Sequence, residues 1–427
     1  MDKKDDTYDG KWSLHQIVGG NEGEEVPEED VITALAFDSS GKYLAVGDND
    51  GRLIVFEQTI NTDGKTIYKF LSEQIAHRES FDVLKSETIL PKITDIKFVR
   101  SDSKSMLVAS CTAKMINISK IAFQSSKRFQ TFNCEAGKPG DLKMPLLTGS
   151  TEPEWTTSIK RTFLKKHSHE INSLSLSAAK QSLVASDDCL ICLYDVEKAD
   201  YAMPMLELSQ LGMEDDAEVI TSSQIHPSKD GPLVFSTNKG VRTCDLRAST
   251  NVRKGITYFT EPPSTAKKNI FTDFLACVSN ATFSNEGNLI YARGLLSMKI
   301  WDVRITNKPV EIVPLFDPVK SKLAEMYEDD SVFDRFMTSS SPCGTKVVTG
   351  FYDKTIHIVG SKGGRNEQLK FGYDRSFRSR EILKGHSEKL GADFSHQYKS
   401  IRTVWHPNKN LIASAFESSI FIFSQDN

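Results

Sequence analysis

The chain has 427 residues, 39% hydrophobic and 26% charged, with 25 Gly and 15 Pro, a composition that excludes both intrinsic disorder and a collagen-like rod. Its 53 basic and 57 acidic residues leave a formal charge of −4, so no general electrostatic pull draws it to nucleic acid or anionic lipid, and a basic partner suits it better. No apolar stretch backs the charged start, Met1 to Asp6, and no run of about 18 apolar residues occurs, which predicts neither a secreted nor a membrane-spanning protein.

In chain order, one three-part phrase recurs seven times: a short apolar run, a polar turn, a second run with small residues, a tight turn, and a third run ending in an aromatic or aliphatic residue. The first copy is ITALAF from Ile32, YLAVG from Tyr43 and LIVF from Leu53. The next three open on ITDIKF, INSLSL and VITSSQIHP, and the last three on VSNATF, FMTSSSP and IRTVWHP. Each run is short, rich in β-branched and aromatic residues, and bounded by Gly, Asp, Asn, Ser or Pro, which predicts strand, turn, strand, turn, strand. The third runs end at Phe56, Ile118, Tyr194, Cys244, Trp301, Val359 and Phe423. Seven four-stranded blades at roughly 40–45 residues each leave room for insertions.

The predicted fold is therefore all-β: a single-domain, seven-bladed WD-repeat propeller over residues 1–427. Fourth, outer strands are expected at Tyr68 to Ile75 and Val310 to Phe316. The seventh copy ends at Phe423, four residues before Asn427, so its fourth strand must come from elsewhere, and Lys11 to Val18 (KWSLHQIV) is the spare apolar strand that closes the ring. An insertion in blade two, residues 122–166, carries Lys127, Arg128, Lys138 and Lys143 and reads as an arm for a second partner.

Antiparallel strand order sends second-to-third turns and blade-to-blade connections to one face, here called the top. Acidic clusters fall there: Asp187 with Asp188, Glu214 to Glu218, Glu328 to Asp330 with Asp334, and Glu22 to Asp30. Val219, Phe271, Phe274 and Tyr327 are interleaved as apolar anchors. An acidic rim with such anchors suits a segment that combines Lys or Arg with a hydrophobic stripe.

No catalytic or metal constellation emerges, and no cofactor is expected. Cys189 and Cys192 form a C-x-x-C read as part of a strand, whose side chains would point to opposite faces. His167 and His169 read as a surface loop, and GSKGG at Gly360 lacks the ending of a phosphate loop. Seven scattered cysteines, an odd number, predict free thiols in a reducing compartment, the cytoplasm or the nucleus.

Several phrases are not general propeller vocabulary: ESFDVLKSETILPKITDIKF from Glu79, SDDCLICLYD from Ser186, EVITSSQIHP from Glu218, KGVRTCDLRAS from Lys239 and SKLAEMYEDDSVFDRF from Ser321. In these, almost end to end, the chain resembles the WD-repeat regulatory B subunits of protein phosphatase 2A. The resemblance implies a non-catalytic subunit that docks on a helical-repeat scaffold (A) subunit and recruits phosphoprotein substrates and inhibitors, often with basic helical motifs, to the catalytic (C) subunit.

Carried over by motif, the ligand-gripping positions of the top face are His169, Asp188, Val219, Phe271, Tyr327, Glu328 and Asp330, with Glu214 in the acidic stretch before blade four. The sequence departs from the family at Asp216, at Ile270 and at His169, which takes the place of a Tyr. The blade-two insertion matches the family's scaffold-contacting hairpin by position only. The rival readings are a WD-repeat scaffold of an unrelated complex and an enzyme with its site in the central channel.

Overall fold

The computed structural model describes residues 12–425 apart from 20–25, 63, 83–85, 126, 131–145, 151, 165, 199–201, 209–217, 248–254, 262–275, 316–321, 362, 365, 371–381 and 385–395. Strand β1 (Trp12–Val18) precedes blade one, made of β2 (Ile32–Phe37), β3 (Tyr43–Asp48), β4 (Arg52–Ile60) and β5 (Thr66–Ile75). A hairpin of β6 (Ser80–Asp82) and β7 (Glu87–Ile89) leads to blade two: β8 (Asp95–Asp102), β9 (Ser105–Cys111), β10 (Met115–Gln124) and, beyond a second hairpin of β11 (Lys127–Gln130) and β12 (Leu146–Ser150), β13 (Glu154–Leu164). Blade three holds β14 (Ser173–Leu176), β15 (Ser182–Ser186), β16 (Leu190–Asp195) and β17 (Ala202–Glu207). Blade four holds β18 (Ile220–Ile225), β19 (Pro232–Thr237), β20 (Gly240–Asp245) and β21 (Thr257–Phe259).

Blade five holds β22 (Val278–Phe283), β23 (Leu289–Gly294), β24 (Ser297–Asp302) and β25 (Glu311–Pro314). Helix α1 (Leu323–Glu328) precedes blade six, which carries an extra outer strand: β26 (Thr338–Ser340), β27 (Lys346–Gly350), β28 (Thr355–Gly360), β29 (Glu367–Lys370) and β30 (Ile382–Lys384). In blade seven, β31 (Thr403–Trp405), β32 (Leu411–Phe416) and β33 (Ser419–Gln425) pair in order with β1, which lies outermost. The result is the seven-bladed propeller expected from the repeat.

The core lies between the blades. Buried residues of β3 show how: Tyr43 and Ala45 pack toward blade two, Leu44 and Val46 toward blade seven. Among the described residues, seven apolar clusters fill the seven interfaces between neighbouring blades. Both faces of a blade are thus covered, which is why runs such as YLAVG are continuously apolar instead of alternating.

The innermost strands turn a free edge to the channel, and their backbone N–H groups need acceptors. Side chains of the preceding blade supply them. The Asp95 carboxylate accepts from Leu174 N–H at 2.8 Å, Ser173 and Ser175 hydroxyls accept from Ser223 and Ile225, and Gln224 Oε1 accepts from Phe283 at 2.7 Å. Polar residues therefore interrupt the first run of each phrase, as in ITSSQI.

Blade seven closes as expected from the sequence. Strand β1 runs antiparallel to β33, from Trp12 opposite Gln425 to Val18 opposite Ile420. Trp12 is buried edge-on against Trp405 at 5.6 Å. The strand also grips blade one: the Gln16 amide donates to Tyr68 O and accepts from Tyr68 N–H, both at 2.8 Å. A second seal of the same interface lies on the bottom face, where Gly41, at φ +76°, sits so close to the His406 ring that a Cβ would come within 2.0 Å of it.

In blade two the structure differs from the sequence-based boundary. Strands β10 and β13 pair from Met115 opposite Leu164 to Gln124 opposite Glu154, with one bulge between Ile118 and Ser119. The fourth strand of the blade thus lies inside the stretch assigned to the insertion, because both strands run past the usual blade length; the segment outside the blade is 125–153.

Candidate functional site

The turn between β15 and β16 assigns opposite tasks to adjacent aspartates. Asp187 is buried, and its Oδ1 accepts the N–H groups of Cys189 and Leu190 at 2.8 and 2.6 Å, while Oδ2 meets His167 Nδ1 at 2.9 Å. Burial opposes ionisation of this carboxyl, but the His167 bond and the turn N–H groups outweigh it and hold Asp187 below the usual carboxylate range. His167 is correspondingly buried and structural, which corrects its reading as a surface-loop residue. Asp188, with its backbone fixed by Ile220 N–H donating to its carbonyl at 2.8 Å, turns its carboxylate toward solvent.

The C-x-x-C reading also changes in detail. Cys189 belongs to this turn and only Cys192 to β16; both are free thiols. Burial pushes the Cys192 thiol up to about 12.

Before blade six the chain forms α1 and a following 3-10 turn. Leu323 and Met326, one turn apart, are buried, as are Ser331 and Phe336. Pinned by these anchors, the segment exposes Tyr327, Glu328, Asp330 and Phe333. Asp330 takes the left-handed conformation, φ 56°, that ends the helix and that a short polar side chain tolerates. The Tyr327 and Phe333 rings lie 6.3 Å apart.

Arg335 joins the two elements. Its guanidinium pairs with Asp188 at 3.1 Å, linking residues 147 positions apart in blade three and at the entrance to blade six. Val219 stands next to Ile220, the residue that fixes Asp188, and its N–H donates to Asn238 Oδ1 at 3.1 Å. Asp188 thus lies beside the loop that carries Val219, and Arg335 ties it to the loop that follows the Tyr327 to Asp330 segment. His169 is exposed on the approach to β14, and among the described residues no hydrogen bond or ion pair joins it to Asp188. Glu214 and Phe271 lie outside the described residues, as do Asp216 and Ile270.

Basic side chains of the chain itself partly neutralise the acidic rim. Glu218 is paired with Arg242 at 2.6 Å, Asp329 with His396 at 2.7 Å and Asp334 with Lys399 at 2.7 Å. Burial nevertheless pushes Asp334 above the usual carboxylate range. Glu328 and Asp330, like Glu28 and Glu29 before blade one, are exposed and have no ion-pair partner among the described residues. Sequence reasoning missed Phe333, Arg335, His396 and Lys399. The first two lie within the SKLAEMYEDDSVFDRF phrase, but their partners become visible only when the ring is closed.

On the opposite face, the β10 and β13 extension carries a Phe123 and Trp155 ring contact at 5.5 Å, and the hairpin of β11 and β12 continues beyond it. The top-face cluster and this extension therefore mark two separate surfaces.

The WD domain, G-beta repeat family matches residues 24–57 and 158–195. The second match runs from within β13 through β16, so the sequence repeat is offset by one strand from the blade. The chain is similar over its full length to a regulatory B subunit of protein phosphatase PP2A from Schizosaccharomyces pombe, 28% identical over 464 residues and covering 100% of both chains. It is 26% identical to the beta isoform of the 55 kDa regulatory B subunit of serine/threonine protein phosphatase 2A from Arabidopsis thaliana, covering 97% of this chain and 96% of that one. Among solved structures, Raptor from Chaetomium thermophilum superposes with a TM-score of 0.57 at 12% identity, over 98% of this chain and 30% of Raptor, a likeness of fold alone.

Proposed function

We infer, from a chain that belongs to the WD-repeat regulatory B-type family of protein phosphatase 2A, that its top face recruits substrates to that phosphatase while its blade-two extension docks on the complex. The protein is a non-catalytic regulatory subunit, and its association is with the phosphatase 2A complex. The finer assignment is that the helical-repeat scaffold takes the extension and that the catalytic subunit lies next to the recruiting face. Phosphoproteins and inhibitors carrying basic, helical motifs would be its ligands.

One observation carries the recruiting role: Arg335 ties Asp188 of blade three to the segment ahead of blade six that exposes Tyr327, Glu328 and Asp330, although blades three and six are far apart in the ring. Such a cluster offers apolar area and negative charge together, the complement of an amphipathic basic segment.

Affinity purification of the full-length chain from its native cell, followed by mass spectrometry, tests the reading. Recovery of a helical-repeat scaffold with a phosphatase catalytic subunit is expected. Recovery of a stable complex without them would replace it by the reading of a WD-repeat scaffold for another assembly.

A further inference from the structure

We propose that Arg335 is a specificity-determining residue: it occupies Asp188 as an internal stand-in for a basic ligand, so the top face selects segments that pair a basic residue with an acidic one a helical turn away. The proposal rests on the recruiting role assigned to this face and names what the face discriminates.

The observation behind it is the contrast between two neighbouring ion pairs. His167 and Asp187 are both 1% exposed at the side chain, and that pair is part of the fold. Asp188 and Arg335 are 31% and 39% exposed at the side chain, and their contact joins loops of two blades that are not neighbours in the ring. A pair this accessible is weak and can be opened. Opening it has a consequence for charge. A ligand lysine that takes Asp188 displaces the guanidinium and leaves Arg335 beside the incoming cation, a like-charge contact.

A ligand that also brings a carboxylate avoids this. On a helix, residues four apart lie about 5–6 Å from each other, close enough to serve both members of the opened pair. The exchange is then balanced: one internal pair on each molecule is replaced by two pairs between them. Neighbouring cations reinforce the selection. Arg402 lies close enough to Arg335 to interact electrostatically and is held by the carbonyls of Thr33 and Thr94, while Lys399 is engaged by Asp334. An all-basic ligand at Asp188 must therefore approach Arg335 with a second guanidinium, Arg402, in electrostatic range of it.

Two fluorescein-labelled, alanine-based helical peptides test this, one carrying only lysines on one face and one carrying Glu four residues before a Lys on that face. Binding is read by fluorescence anisotropy at low ionic strength with the full-length protein. The wild type is expected to favour the Glu-Lys peptide by about threefold or more. Arg335→Gln should reverse the order, tightening the all-lysine peptide and weakening the other, whereas Arg335→Lys should keep the wild-type order and Asp188→Asn should weaken both. A ranking unchanged in Arg335→Gln, with binding still dependent on Asp188, would overturn the role of Arg335 and leave the recruiting face intact. Failure of both peptides to bind the wild type and Arg335→Gln would overturn the basic-ligand reading and this inference with it. Equal melting temperatures of the variants and the wild type exclude unfolding as the cause.

Discussion

At the residue scale, the two aspartates of SDDCL show how little a letter says by itself. Asp187→Ala would strip acceptors from two turn N–H groups and from the His167 ring, all in a buried turn, and each unsatisfied buried group costs about 1–3 kcal/mol. A loss of roughly 3 kcal/mol or more in chemical denaturation is expected. Asp188→Ala removes one accessible ion pair, so its stability should stay within about 1 kcal/mol of the wild type. Equal losses in the two variants would contradict the division of roles. Buried histidines set a pH dependence of their own. Burial lowers His77 and His406 to about 4 and His357 to about 3. A base whose folded pKa lies below its ordinary value of about 6.5 is held neutral by folding, so its contribution is complete above that value and is lost as pH falls toward the folded value. Between pH 7 and 5 a group shifted to about 4 withdraws on the order of 2 kcal/mol. Thermal unfolding should therefore occur at lower temperature at pH 5, and His77→Gln, which still reaches Ser110 but does not titrate, should show a smaller drop. An identical drop in the variant would assign the effect to other groups.

At the element scale, the N-terminal strand is the seam of the ring. Deleting residues 1–18 removes the ladder from Trp12 to Val18, the buried Trp12 ring and the double hydrogen bond from Gln16 to blade one. At about 1 kcal/mol per net hydrogen bond and about 2–3 for a buried aromatic side chain, the loss is comparable with the whole stability of an ordinary domain. The truncated chain should melt far below the full one or fail to fold, and coincident melting curves would sink the assignment. This seam was legible because KWSLHQIV was an apolar run without a partner and the seventh phrase lacked a fourth strand. The clasp of Gln16 on Tyr68 was not, since it requires knowing which strand becomes its neighbour. The blade-two boundary was misjudged for a related reason: the sequence of β13, EWTTSIKRTFL, is mostly polar, with Trp155, Ile159, Phe163 and Leu164 spread among three-residue polar runs, and resembles insertion more than core. The Ser and Gln of the innermost strands looked like dilution of an apolar run and proved to be acceptors for the backbone N–H groups of the next blade.

At the scale of the whole molecule, the ring converts a one-dimensional list of loops into two faces. The antiparallel strand order made the faces legible, and with them the common face of the Asp188 turn and the loop before blade six. The counter-ions were not legible, because Arg335 meets Asp188 across 147 positions and only through closure of the ring. The proposed recruiting and docking roles, on two faces, should be separable. Asp188→Lys puts a cation where a basic ligand must bind and beside Arg335, and charge-pair couplings in specific interfaces run from roughly 1.5 kcal/mol upward. In a reconstituted complex, kcat/KM for a phosphoprotein with a basic motif should fall at least about tenfold, and the defect should shrink as salt rises. Hydrolysis of p-nitrophenyl phosphate, which needs no recruiting face, should be unchanged, as should recovery of the scaffold. Replacing 125–153 by a short Gly-Ser linker should do the reverse, because the exchange leaves every strand of the seven blades in place: the chain folds and still binds basic peptides, while scaffold recovery falls. If charge reversal at Asp188 abolished assembly and spared the protein substrate, the two faces would have to be exchanged.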